Sequence, residues 1–359
     1  MNRAQKSDAA RLLLAAARER FSVAAIDLLL PEQGRLTEWQ RITASTLLGQ
    51  LVRAIEDALR GALAEHFADH EALHAALTSA HVAIAFPLLE RANVLRDDDL
   101  GNVLVRRVEE HRFYKANADP AKDDLIVELI RDADGAIASE AMALLIARSR
   151  RFDRFQEPAM AETELSAELQ HRLVWMVAAA LRQYMVQRHA IAPGTADSAI
   201  AAAAAGMIAD YDEGESLEAR ALRLARRLHQ MGRLEDPLLL RTLEEGCLPL
   251  FVAGVALRCA LDYQAAWEVL SDPRGRGPAL LLRIAEVERP MAAAILLVLN
   301  ERGRLFSGAA ADAATEQLDL FDETDASAAH DVLQLWQVDP GYRAAITRLS
   351  TRARHGGAG

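Results

Sequence analysis

The chain has 359 residues, of which 51% are apolar and 26% charged, enough for two or three packed units with a sizeable core. That balance excludes global disorder, and 19 glycines with 11 prolines exclude collagen-like and low-complexity chains. A formal charge of −11 excludes a general nucleic-acid binder, which needs net positive charge to displace counterions.

The apolar mass is mostly Ala and Leu with only 5% aromatics, which predicts helix before any pattern is read. A first helix is predicted over 7–30, capped by Ser7 or Asp8 and stopped by Pro31. Thr37-Glu38-Trp39-Gln40 reads as a capping box, and Leu47, Leu51, Ile55 and Leu59 form an i, i+4 stripe on the helix it opens. Another amphipathic stretch runs from His66 to His81. From 86 to 189 short helices begin at acidic caps: Asp97-Asp98-Asp99-Leu100, Asp123-Asp124-Leu125 and Glu164-Leu165-Ser166. Residues 168–189 form the most apolar helix, expected to be covered on several sides, and Ala192-Pro193-Gly194-Thr195 reads as a linker. Helices are then predicted at 217–231, 238–245, 248–260, 263–270, 278–286 and 290–302. One or two follow at about 315–323 and 327–337, with a last one starting near Pro340. The fold expected is all-α: an N-terminal helical region (1–85), a helix-pair, HEAT-like solenoid (86–192), a second helical unit (193–306), and an acidic segment with C-terminal helices (307–359).

Phe152-Asp-Arg-Phe-Gln-Glu-Pro158, followed by Leu165-Ser-Ala-Glu-Leu-Gln-His-Arg-Leu-Val-Trp175, resembles a family of uncharacterised bacterial proteins, domain of unknown function number 2336. Leu95-Arg-Asp-Asp-Asp-Leu100, Glu245-Gly-Cys-Leu-Pro-Leu-Phe251 and Ala266-Trp-Glu-Val-Leu-Ser-Asp-Pro-Arg-Gly-Arg-Gly277 fit the same pattern, so the resemblance covers about 86–300. It implies an all-helical fold, repeat-like in its first half, and no known activity.

Several groups invite chemistry. His66, His70 and His74 share a helix face at i, i+4 and i+8, a spacing that can hold Zn²⁺, against a polar helix face. His111, in Glu109-Glu110-His111-Arg112, resembles a phosphotransfer histidine flanked by cations, against a cation at a helix C-terminus. Arg274, Gly275, Arg276 and Gly277 have the makings of an anion nest, against an ordinary interhelical turn. Arg148, Arg150, Arg151 and Arg154 cluster, as do Arg220, Arg223, Arg226 and Arg227; each set could meet an acidic protein or phosphates, against a solvated face. Cys247 and Cys259 have no neighbouring His or Lys to activate them and read as buried small hydrophobes.

Gln317-Leu318-Asp319-Leu320-Phe321 resembles the pentapeptide with which bacterial proteins dock on the replicative sliding clamp: Gln317 hydrogen-bonds at a subsite while Leu320 and Phe321 plug an apolar pocket, with Leu318 counted among the partner-binding residues. The alternative is the core face of a short helix packing on Leu333 and Trp336, since Leu318 and Phe321 are i, i+3.

With no catalytic fingerprint, the expected function is a non-enzymatic scaffold or adaptor that binds another protein, with no cofactor and no metal. Sliding-clamp binding through 317–321 and a phosphotransfer or anion-binding protein are the alternatives. The longest apolar run, Met291–Leu299, is about half the ~20 residues of a spanning helix, and Lys6, Asp8, Arg11, Arg18, Glu19 and Arg20 break up any opening leader pattern. No membrane association and a cytoplasmic location are therefore expected.

Overall fold

The computed structural model of the chain describes residues 36–80, 82–117, 124–160, 164–272, 275–301, 310–324, 334, 336–338 and 342. Among them are fifteen α-helices and no strand. The helix expected over 7–30 lies outside the described residues, as do Arg274 and most of 327–359. Contacts divide the chain into two compact units that are not collinear with it. One takes Thr37–Val108 and Ile146–Ala219; the other takes Glu109–Leu145 and the described residues from Arg220 on. The partition expected from linker composition, at 86, 193 and 307, follows chain order and therefore differs.

The first of these units holds α1 (Glu38–His66), α2 (Glu71–Thr78), α3 (Ala85–Arg91), the start of α4 (Asp98–Asn117), the end of α6 (Gly135–Ser149), α7 (Ala167–His189) and α8 (Pro193–Ala209). Thr37 opens α1 as its capping box predicts: its hydroxyl accepts from the amide of Gln40, whose side chain accepts from the amide of Thr37 at 2.7 Å. Leu47, Leu51, Ile55 and Leu59 are buried and meet α7 and α8, joined by Leu173, Val177, Leu181 and Met185.

Two residues of α1 organise the chain that follows it. The buried Arg60 guanidinium donates to the carbonyls of Ala76, Leu77, Ser79 and Val82, satisfying the open end of α2. The buried Glu56 carboxylate accepts from Arg60 and from the amides of Ile84 and Ala85, capping α3 where its dipole favours an anion. Each charge is thus desolvated with its partners in place, the condition under which a buried ion pair is tolerated.

Three details of this unit differ from expectation. The amphipathic stretch 66–81 is not one helix: α1 ends at His66, Phe67 is buried, and α2 begins at Glu71. Residues 193–195 are not a linker but the first turn of α8, because the fixed φ of Pro193 suits a helix start. Helix α7 keeps one side in solvent, where Trp175 is 39% exposed and its indole donates to His171 at 3.2 Å.

The other unit is built from α5 (Leu125–Ile130), the body of α9 (Leu217–Gln230), α10 (Asp236–Glu244), α11 (Leu248–Arg258), α12 (Tyr263–Leu270), α13 (Arg276–Ile284), α14 (Arg289–Glu301) and α15 (Ala310–Glu323). Consecutive helices from α10 to α15 pack on their chain neighbours, and α10 also meets α14. Phe251, Leu239, Leu281, Ile295 and Leu299 lie in its core. The turns are short because chain reversal happens in one left-handed residue: Gly246 after α10, Ala260 after α11 and Glu286 after α13.

Candidate functional site

Adjacent arginines on α4, Arg106 and Arg107, are both buried in the unit formed by Thr37–Val108 and Ile146–Ala219. They meet Arg151, just past α6, and two glutamates, Glu164 ahead of α7 and Glu218 in the first turn of α9. One oxygen of Glu164 accepts from Arg107 Nη2 at 2.5 Å and from Arg151 Nη2 and Nε at 2.6 and 3.1 Å. One oxygen of Glu218 accepts from Arg106 at 2.9 Å and from Arg151 at 3.0 Å. Arg151 therefore ties the two carboxylates together. Burial pushes the Glu164 carboxyl up to about 7 against the pull of Arg107, with Glu218 adding a like charge. Its Oε1 has no partner among the described residues, so the proton has a place to sit without breaking the contacts on Oε2. Beside the cluster, the Tyr211 hydroxyl donates to the Leu165 carbonyl, and burial pushes its ionisation upward.

From this buried foot the chain rises into a turn. Phe152 and Pro158 form an isolated antiparallel bridge, and the Ala159 amide donates to the Arg151 carbonyl at 2.8 Å. The Asp153 carboxylate accepts from the amides of Phe155 and Glu157 at 2.7 and 2.9 Å. Asp153 also exchanges backbone bonds, donating to Glu157 O at 2.9 Å and accepting from Gln156 N at 3.0 Å, with Gln156 left-handed at φ 61°. Phe155 stands at the tip, 68% exposed, with the Arg154 guanidinium 4.6 Å from its ring centroid. This is the most exposed large hydrophobic side chain among the described residues. The sequence gives the arginine cluster but not Phe155 as a tip; the signal lay in Asp153, whose side chain favours a turn two residues on.

The other predicted groups are dispersed and mostly occupied. His66 and His70 flank the helix break, each ring against Phe67, with centroids 4.8 and 5.8 Å away. The break removes the shared helix face on which their spacing with His74 depended. No group of three or more His, Cys, Asp or Glu among the described residues could hold a metal ion. His111 is buried in α4. Arg227 pairs with Asp134 at 2.6 Å, while Arg226 is exposed. Cys247 and Cys259 are buried, and burial pushes the Cys259 thiol up to about 12.

The described residues of the predicted nest, 271–272 and 275–278, bond to one another. Asp272 Oδ2 accepts from the amides of Arg276 and Gly277 at 3.0 and 3.3 Å, occupying the donors that an anion would use. Gly277 is required by sterics, since a Cβ there would sit 1.7 Å from the Val269 carbonyl oxygen. A Cβ on Gly275 would lie 2.7 Å from Gln317 Nε2, so the nest and the pentapeptide touch.

Residues 317–321 belong to α15, packed on α13 and α14. Gln317 and Phe321 are buried, Leu318 and Leu320 are half-buried. Gln317 Oε1 accepts from Asn300 at 2.7 Å, Phe321 lies under the Arg283 guanidinium at 5.3 Å, and Arg289 holds Asp322 through three bonds of 2.8, 2.9 and 3.0 Å. The side chains that the docking reading needs are those that fix the helix.

An all-helical fold among the described residues defines the class of protein; no helix among them is long and apolar enough to cross a membrane. Residues 84–334 match the family described as an uncharacterised protein conserved in bacteria (DUF2336), and the chain belongs to that family. No curated protein and no solved structure matches it.

Proposed function

We propose that the chain is a non-enzymatic helical scaffold that binds another protein, in the cytoplasm and without cofactor or metal. The observation that carries this reading is where its reactive groups lie. His111 and both cysteines are buried, the amides of Arg276 and Gly277 hold Asp272, and the Glu164 and Glu218 carboxylates are pinned by arginines. Alongside exposed histidines such as His70 and His229, a large aromatic on a braced turn faces solvent, the kind of group that anchors a protein interface. The HEAT-like solenoid expected over 86–192 belongs to this proposal; the packing of α10 to α15 on their chain neighbours lies in a later stretch, 236–323, and bears on the second helical unit instead.

Sliding-clamp docking through Gln317, Leu318, Leu320 and Phe321 requires α15 to leave α13 and α14 first, so it is the lesser reading. Affinity purification of the tagged full chain from its own bacterium tests the proposal. A stoichiometric protein partner is expected; background proteins alone, or turnover of a small molecule by the pure chain, overturns it.

A further inference from the structure

Resting on that protein-binding reading, we propose that the 153–157 turn is a plug: Phe155 enters an apolar socket on a partner protein, and Arg150 and Arg154 pair with an acidic rim around it. Three features support this. The turn is braced before any partner arrives, by both bonds to the Asp153 carboxylate and by the backbone bonds across 151–159. Presenting Phe155 therefore costs little ordering entropy on binding, which is how preorganisation raises affinity. The foot is also fixed, because Arg151 is held by two buried carboxylates.

The third feature is charge. Arg148, Arg150, Arg151 and Arg154 fall within seven residues of a chain whose formal charge is −11. Arg151 is taken up inside, whereas Arg150 and Arg154 are exposed and neither makes a salt bridge among the described residues, although the Arg150 charge is felt by Glu164. An acidic rim complements them and steers encounter. A second copy of the chain carries a further −11 and an anionic bilayer presents negative charge across its whole face, whereas a separate protein can confine its acidic groups to the rim that meets Arg150 and Arg154, so a separate protein fits best.

The test places a benzoyl-phenylalanine photocrosslinker at Phe155 of the full chain in its host. The captured protein is then purified and titrated calorimetrically against the wild-type chain at about 50 and about 300 mM salt. Capture alone does not support the proposal. Support is a loss of at least about tenfold in affinity for Phe155→Ala and for the Arg150→Glu, Arg154→Glu double variant, with the salt dependence reduced in the latter. Thermal melts of both variants, expected to match wild type, separate lost binding from lost folding. The proposal is overturned by the absence of a crosslinked protein, by unchanged affinity, or by binding only to phosphatidylserine vesicles or to a second copy. If a partner purified through a tag binds Phe155→Ala as tightly as wild type, the plug alone is wrong; if no partner purifies either, the protein-binding reading falls with it.

Discussion

Glu164 shows how one side chain carries both a charge and a cost. Its folded carboxyl lies near 7 and its ordinary value is 4.5, so the folded chain holds a proton there that the unfolded chain releases. The stability this proton brings is complete below about 4.5 and is lost as pH rises through about 7. Glu164→Gln keeps the neutral form at every pH. Its melting temperature, measured against wild type from pH 5 to pH 8, is therefore expected to shift steadily in the variant's favour; a constant gap would refute the assignment. Glycines obey sterics instead. Gly277→Ala drives a methyl into the Val269 carbonyl and is expected to cost at least about 2–3 kcal/mol in chemical denaturation. The opposite sign is expected at Glu286, exposed and left-handed at φ 53°: Glu286→Gly relieves the strain and raises stability by up to about 1 kcal/mol, read by the same method. Helix ends were legible at 260 and 286, but nothing in the type of Ala260 or Glu286 announces the left-handed backbone each adopts there. Gly246 does, and the break predicted there is where the helix stops.

At the scale of elements, local chemistry was legible and tertiary competition was not. Thr37 with Gln40, Asp97 with the Leu100 amide, Asp124 with Ile126 and Ser166 with Leu169 cap helices where the sequence places them, because each cap needs only residues within one turn. The Leu47-to-Leu59 stripe was equally readable from its period. The histidine stretch was not, because burial of Phe67 ends α1 inside an apparently continuous pattern. The same competition decides the pentapeptide, whose apolar residues suit either a pocket on a partner or the face of α15. Since Phe321 is buried beneath Arg283, Phe321→Ala is expected to destabilise its unit by about 3–5 kcal/mol in urea titrations. An unchanged midpoint would mean that the segment is not held on α13 and α14.

For the whole molecule, composition alone gave an all-helical chain of more than one unit, and the string from Phe152 to Trp175 gave the family. The partners of the buried charges were beyond reach. Arg151 finds Glu218 across 67 positions and Arg106 finds Glu218 across 112, and no short-range pattern encodes pairings that depend on how helices stack. The arginine cluster at 148–154 was visible as a charge run, but its division into a buried foot and an exposed tip appears only when the chain is folded. That division underlies the proposed function, in which Arg151 serves the fold and Phe155 with Arg154 would serve a partner. Phe155→Ala separates the two directly when its melting temperature and its affinity for the purified partner are measured on one preparation. We expect melting within about 2 °C of wild type, as for other surface changes, together with affinity weakened at least about tenfold. A lowered melting temperature with intact affinity would place Phe155 in the service of folding and remove the plug.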